Sequence, residues 1–175
     1  EPPRVTDKGD GTYSIDFAQE RAGTYTLHVW VRGDEEPATL AVSVEPASVS
    51  IAHSTVRGIG TGWSAGGATS FEIEPRDVHG NRCDGADTVW SVRVQGKQPL
   101  LAAAAAAASA ECAASMCRDA ASGSWRVRTS FASAGDYCIT IVGRRRGESS
   151  DVPPIHARGS PFAVCVTGGA AEPSR

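Results

Sequence analysis

The chain repeats one pattern of short strands, and this repeat limits its fold more than any other feature of the sequence. Seven positions of the first copy recur in the second at a constant offset of 112 residues, as Tyr25 and Tyr137 illustrate. The matched positions are Gly11, Tyr13, Ile15, Gly23, Tyr25, Leu27 and Val29, then Gly123, Trp125, Val127, Gly135, Tyr137, Ile139 and Ile141. Leu40, Val42 and Val44 match Phe162, Val164 and Val166 at an offset of 122, so the second copy holds ten extra residues before its last strand. Two copies of one supersecondary module are therefore present.

Each copy consists of segments in which apolar and polar residues alternate. Such alternation, bounded by Gly, Pro and Asp, is typical of strands with one buried and one wet face. The segments are 13–17, 25–31, 40–44, 71–73, 90–94, 125–127, 137–141 and 162–166, and helical periodicity is almost absent. The sequence therefore predicts an all-β antiparallel sandwich. Its predicted core includes Phe71, Ile73, Trp90, Val92, Trp125, Val127, Tyr137, Ile139, Phe162 and Val164.

The two copies are unequal in length, which predicts the domain organisation. Residues 1–48 correspond to the C-terminal half of a module, because the opening strands of the second copy have no counterpart before Tyr13. Residues 49–168 form a complete copy, 169–175 form a tail or linker, and the boundary is predicted at Pro46-Ala47-Ser48. Half a sandwich leaves an apolar sheet face uncovered, so we expect further strands before residue 1 in the intact protein.

An alanine-rich segment, residues 97–122, interrupts the second copy. Seven consecutive alanines, Ala102–Ala108, have the highest intrinsic helix propensity, but short isolated helices are marginal in water. We interpret the segment as an inserted surface loop, with a short helix packed on the sandwich as the alternative.

Five short motifs stand at turns and strand starts: Gly9-Asp10-Gly11-Thr12-Tyr13, Ala22-Gly23-Thr24-Tyr25, Ala134-Gly135-Asp136-Tyr137, Asp77-Val78-His79-Gly80-Asn81 and Gly159-Ser160-Pro161-Phe162. They resemble motifs of the filamin-type immunoglobulin-like repeat, and the resemblance covers nearly the whole chain. The first copy departs from the pattern at 36–40, where Glu-Pro-Ala-Thr-Leu replaces the expected Gly-Ser-Pro-Phe. Tyr25 and Tyr137 stand at strand starts, where a ring can be buried while its hydroxyl reaches the backbone, much as in a tyrosine corner.

The resemblance implies a structural spacer that docks other proteins by strand addition. In this family the ligand adds as a β-strand beside the third strand, which here is 88–94. Trp90, Val92 and Val94 should then face the core. The partner-binding candidates Val89, Ser91 and Arg93 should face the ligand. Alternatively, the alanine-rich segment covers this edge.

The same resemblance, with the alanine, arginine and glycine bias of the chain, indicates two kinds of host protein. The main prediction is a cytoplasmic cytoskeletal protein, with the tail of a ciliary dynein heavy chain in the axoneme as the specific candidate. The alternative is an extracellular adhesion ectodomain of the gamete-surface type. Both are analogies at the level of the fold.

Charge and hydropathy argue against two classes of partner. A net charge of −3 creates no field that would attract nucleic acid. The longest apolar run, Leu100–Ala108, is too short to cross a bilayer. Arg144-Arg145-Arg146 is interpreted as a solvated loop, with a partner contact as the alternative. We expect partners to be other proteins or neighbouring domains, without nucleic acid and without membrane insertion.

Catalysis and metal binding are also not predicted. Gly62-Trp63-Ser64-Ala65-Gly66 matches a hydrolase motif, and Asp151 and His156 follow in hydrolase order, but no amphipathic helix follows the serine as that motif requires. Cys112 and Cys117 lie five apart, which does not fit a C-x2-C zinc site, and the four histidines are scattered. We expect no enzyme activity, no cofactor and no metal.

The cysteines favour a reducing compartment. Their number, five, is odd, and the chain has no Asn-x-Ser/Thr sequence. Cys138 and Cys165 alternate with inward residues, so both should lie on one outer sheet face. Cross-strand Cβ distances exceed what a disulfide prefers, so we expect free thiols.

Overall fold

A computed structural model describes residues 3–33, 35–60, 62–96 and 114–169. The chain divides into two units, Glu1–Ala47 and Ser48–Arg175. This division falls within the predicted Pro46-Ala47-Ser48 junction.

The first unit consists of two antiparallel hairpins. Strands β1 (Arg4–Asp7) and β2 (Tyr13–Asp16) form one hairpin, and β3 (Gly23–Val29) and β4 (Ala38–Val44) form the other. Strand β1 was not predicted, because Val5 is its single large apolar residue and four residues show too little alternation.

No described residue of the first unit is buried. Tyr13 is 63% exposed, Leu40 is 59% exposed and Ile15 is 38% exposed. The rings of Phe17, which follows β2, and Tyr25, in β3, are 6.1 Å apart in an edge-on arrangement. The apolar faces of this unit therefore lack the cover that a completed sandwich provides.

Nine strands make up the described part of the second unit. In chain order they are β5 (Thr55–Arg57), β6 (Trp63–Ser64), β7 (Ala68–Glu74), β8 (Thr88–Gly96), β9 (Ser115–Arg118), β10 (Trp125–Ser130), β11 (Gly135–Arg145), β12 (Ile155–His156) and β13 (Phe162–Thr167), with short 3-10 helices at Ile51–His53 and Gly85–Asp87. One sheet has the order β5-β7-β10-β9. In the other sheet β11 pairs with both β13 and β12 along one edge and with β8 along its other edge. Strand β6 pairs with β13. This is an all-β, immunoglobulin-like sandwich, as predicted.

From the sequence, residues 49–168 should form seven antiparallel strands, the first of them kinked at its glycines. The count and one pairing are wrong. The first strand is kinked, and Gly58 and Gly62 adopt φ values of 80° and 101°. The kink is sharp enough to divide the strand: β5 joins one sheet, while β6 pairs in parallel with β13 in the other. A further strand that was not predicted, β12, lies among the ten extra residues of the second copy.

The loop prediction for residues 97–122 also fails at its C-terminal end. Strand β9 lies inside that segment and pairs with β10, with Met116 packed against the core. The polar neighbours Ser115 and Cys117 point outward. A single inward methionine gave no periodic signal in the sequence. Ala102–Ala108 lies outside the described residues.

The core of the second unit contains the residues that the alternation predicted. Trp90 and Tyr137 are 3% and 6% exposed. Val92, Trp125 and Phe162 are partly buried and pack against the core. Burying one such side chain stabilises a fold by roughly 1.5–3 kcal/mol, so this core dominates the stability of the unit.

Strands β3 and β4 of the first copy pair in the same register as β11 and β13 of the second. Gly23 faces Val44 in the first unit, and Gly135 faces Val166 in the second. The hydroxyl of Tyr25 donates to Arg21 O at 2.8 Å, and that of Tyr137 donates to Ser133 O at 2.8 Å. Both hydroxyls thus reach the backbone as predicted, but only the ring of Tyr137 is buried, whereas that of Tyr25 is partly buried.

Glu74, the last residue of β7, is a buried carboxylate bound by three arginines. Its Oε2 lies 2.6 Å from Arg76 Nη2 and 3.2 Å from Arg57 Nη2, and its Oε1 lies 2.8 Å from Arg82 Nε. Thr55 Oγ1 donates to Oε2 at 3.1 Å. Burial raises the pKa of Glu74, but the hydrogen bonds from Arg76 and Thr55 and the charges of Arg76 and Arg82 outweigh it and hold the pKa below its usual value.

We expect Glu74→Gln to destabilise the second unit at neutral pH by on the order of 2 kcal/mol, because the arginines lose their carboxylate. A depressed carboxylate pKa contributes stability above the unfolded value of about 4.3, and this is lost as pH falls through the folded value. The decrease in the free energy of unfolding between pH 5 and 3 should therefore be smaller in the variant. Urea unfolding across this range measures it. The exposed Asp136→Asn serves as control, and identical pH profiles for Glu74→Gln and the native chain would contradict the assignment.

Candidate partner-docking face

Strand β8 presents the three predicted partner-binding residues to solvent. Val89, Ser91 and Arg93 are exposed, whereas Trp90 and Val94 are buried and Val92 is partly buried. The predicted alternation of this strand is therefore confirmed. A bound ligand stays a prediction.

The three residues lie opposite outward residues of β11. Val89 faces Arg144, Ser91 faces Val142 and Arg93 faces Thr140. Together they line an open groove of about 520 Å³ on the outer face of the sheet. We call this surface the docking face; it comprises Val89, Ser91, Arg93, Gln95, Thr140, Val142, Gly143, Arg144 and Pro154.

The ten extra residues of the second copy build one wall of the docking face. Strand β11 continues to Arg145, turns, and returns as β12, which pairs with β11 at Val142 and Gly143. The Arg144 side chain donates to Ser150 O at 3.1 Å, and Arg145 N donates to Glu148 Oε2 at 3.1 Å. The equivalent strand β3 ends at Val29, so the first unit has no such wall.

Arg144 corrects the interpretation of the arginine run as a solvated loop. Arg144 and Arg145 belong to β11, and Arg144 lines the docking face. Sequence reasoning missed this residue and Val142. The available signal was the outward period of Cys138 and Thr140, which continues unbroken through Val142 and Arg144.

The docking face combines positive charge with exposed apolar surface. Arg93 and Arg144 supply two guanidinium groups, and no acidic residue lines the groove in the described ranges. Val89 is 53% exposed. Such a surface can bind aliphatic and acidic side chains of a partner.

Strand β8 is also an edge strand within the part of the chain that the structure describes. Its only partner there is β11, which leaves the backbone groups of its other side free of sheet pairing. The alternative prediction, that the alanine-rich segment covers this edge, concerns residues 97–113 and lies outside the described residues.

The hydrolase-like residues do not form a hydrogen-bonded triad. Ser64 ends the two-residue strand β6 and is followed by a turn instead of a helix. His156 Nδ1 lies 3.3 Å from Ser160 Oγ, and Asp151 Oδ2 accepts from Ser149 Oγ at 3.3 Å. His156 and Asp151 therefore each contact a serine that is close in sequence.

Among the described residues, no group of three His, Cys, Asp or Glu side chains could hold a metal ion. Cys112 lies outside those residues. In the same ranges, no helix is long and apolar enough to cross a membrane.

Cys138 and Cys165 share the outer face of one sheet, as predicted. Cys138 faces Ala163 and Cys165 faces Asp136, so the two thiols are diagonal neighbours on β11 and β13. Diagonal positions are about 7–8 Å apart, too far for a disulfide without backbone movement. Both are free thiols, as is Cys117.

No known protein family and no curated protein matches the sequence. Solved structures with a similar fold include the Lin-41 filamin domain, at 13% identity and a TM-score of 0.46, with 69% of this chain and 97% of that chain covered. The FdeC adhesin of Escherichia coli matches at 19% identity and a TM-score of 0.48, over 95% of this chain and 48% of that one. InvD of Yersinia pseudotuberculosis matches at 17% identity and a TM-score of 0.48, over 98% and 46%. This chain spans about half of each of these two proteins, and none of the similarities assigns a function.

Proposed function

We propose that this chain is a non-catalytic spacer and protein-docking module of a larger protein. The observation that carries the proposal is the docking face beside an edge strand, where Val89, Ser91 and Arg93 meet Val142 and Arg144 across two strands. A rigid sandwich sets the spacing of its neighbours, and an edge strand with a lined groove accepts a partner.

The proposed binding mode is the addition of an extended segment beside β8. Backbone hydrogen bonds to the free edge supply affinity, and alternate side chains of the partner supply specificity. Arg93 and Arg144 favour acidic side chains, while Val89 and Val142 favour aliphatic ones. The expected ligand therefore carries aliphatic and acidic residues at alternate positions, because only every second side chain of an added strand points to the docking face.

Peptides selected from a random display library against the full chain should be enriched in this alternation. We expect Arg93→Glu to weaken their binding by about tenfold or more, because an attractive charge-assisted contact becomes repulsive. Ser91→Arg should also weaken binding by filling the groove. Fluorescence anisotropy with a labelled selected peptide measures both effects.

Arg128→Glu provides the matched control, since it makes the same charge change at an exposed position of β10 in the other sheet. Circular dichroism should show that all three variants remain folded. Selected peptides that bind Arg93→Glu and Ser91→Arg as tightly as the native chain would refute docking at this face.

We also propose that residues 1–48 are the C-terminal half of a repeat. Strands β3 and β4 share the register of β11 and β13, and the Tyr25 hydroxyl makes the same backbone contact as that of Tyr137. The matched residues of the two copies differ in burial. Ile15 is 38% exposed, whereas its counterpart Val127 is 0% exposed. The second unit has the strands β5, β7 and β8 before these counterparts, and the first unit has no strand equivalent to them among its described residues.

A peptide of residues 1–48 should therefore not fold by itself. Several large apolar side chains remain uncovered, and each forgoes roughly 1.5–3 kcal/mol, which together match the stability of a typical domain. Thermal melts followed by circular dichroism should show no cooperative transition, while residues 48–175 should melt cooperatively. A cooperative melt of the 1–48 monomer that is independent of concentration would contradict the proposal.

Two hosts are proposed for this module. One is a cytoplasmic cytoskeletal protein, with a ciliary dynein heavy-chain tail as the specific case, and the other is an extracellular adhesion ectodomain. Intact mass after thiol alkylation of the protein from its native source separates them. Complete alkylation supports the cytoplasmic host, and a bridged, alkylation-resistant pair supports the extracellular one.

A further inference from the structure

A basic cavity of about 380 Å³ lies beside β5, in the sheet that does not carry the docking face. Its polar lining comes from parts of the sequence far from one another: His53, Thr55, Arg57, Arg76, His79 and Arg158. No acidic side chain lines it in the described ranges. This concentration of arginine is unusual in a chain whose net charge is −3.

The arginines around the cavity outnumber the carboxylates beside them. Arg57, Arg76 and Arg82 all contact the single carboxylate of Glu74. Arg158, which is exposed, has no side-chain hydrogen bond or ion pair to any other described residue. One carboxylate cannot neutralise four guanidinium groups, so positive charge remains in excess.

Two further carboxylates in this region are already bound elsewhere. Asp77 accepts from the backbone amides of His79 and Asn81 at 2.9 and 2.8 Å. Glu72 lies opposite Arg57 on β7, but its carboxylate accepts from the Ser124 hydroxyl. Even if both charges are counted, the four arginines exceed the three carboxylates.

Part of the lining, Arg76 and His53, is held in place before any ligand arrives. Arg76 donates through Nε to Glu74 at 3.2 Å and through Nη1 to Gly80 O. Its side chain is only 22% exposed. His53 Nδ1 lies 2.8 Å from Ser50 Oγ. A fixed guanidinium loses little entropy on binding, and its fork of donors matches a tetrahedral oxyanion.

We propose that this cavity binds a phosphate monoester carried by an extended peptide. The anion would lie between Arg57 and Arg158, the two exposed arginines of the lining, with Arg76 beneath. A peptide is favoured because Arg57 belongs to β5, which pairs only with β7 in the described part of the sheet. The free edge of β5 can thus pair with peptide backbone while the phosphate enters the cavity. This site is separate from the docking face, so either can fail without the other.

Isothermal titration of the full chain tests the site with three probes: inorganic phosphate, a phosphoserine pentapeptide with aliphatic flanks, and the same peptide without phosphate. The phosphopeptide should bind more tightly than free phosphate, and the unphosphorylated peptide should not bind measurably. Arg57→Gln and Arg158→Gln should each weaken phosphopeptide binding by about tenfold, the effect of losing one charge-assisted hydrogen bond.

Arg158→Gln removes no described side-chain contact, so its fold should be intact, and Arg128→Gln is the control of equal charge. Arg128→Gln should bind the phosphopeptide like the native chain. Unchanged affinity in Arg158→Gln would overturn the proposal. A phosphopeptide that binds no more tightly than free phosphate would also overturn it. So would a chain that binds a sulfated polysaccharide but not the phosphopeptide.

Discussion

The packing of two sheets against each other is the interaction on which the rest of the second unit depends. Phe71, Ile73 and Val127 of one sheet share a buried core with Trp90 and Ile139 of the other, and all five are nearly inaccessible to solvent. The first unit shows what remains without that opposition. Its hairpin register and tyrosine corner are the same, yet no described residue is buried. Local sequence is thus sufficient for the hairpins, whereas burial requires the opposing strands.

The sequence predicts the long strands because a register shift of one residue would expose their whole inward face, so their apolar and polar residues must alternate. Short strands have too few residues to show this alternation. In β9 the single large apolar residue, Met116, points inward, and in β1 the single large apolar residue, Val5, is exposed. Strand β12 has only two residues. The parallel pairing of β6 with β13 follows from a glycine kink whose sharpness depends on tertiary contacts. Such features are decided by the neighbours of a segment and leave little trace in the segment itself.

The candidate sites divide in the same way. Val89, Ser91 and Arg93 were predictable because they alternate with Trp90 in one strand. The outward alternation of Cys138 and Thr140 continues through Val142 and Arg144, but it could not show how far β11 extends, since that depends on pairing with β8 and β12. The basic cavity was unpredictable because Arg57, Arg76 and Arg158 are brought together by the fold around Glu74. One sheet thus carries the docking face and the other borders the basic cavity, so the sandwich has two separate candidate surfaces.

The central claim is that opposition between sheets, rather than hairpin formation, separates the two units. Hydrogen exchange of the full chain measures this directly, because the same local structures can be compared within one molecule. We expect amides of β10 and β11 to exchange only through global unfolding of their unit. Amides of the matched strands β2 and β3 should exchange through local opening, with protection close to zero. Equal protection of the matched strands would contradict the account.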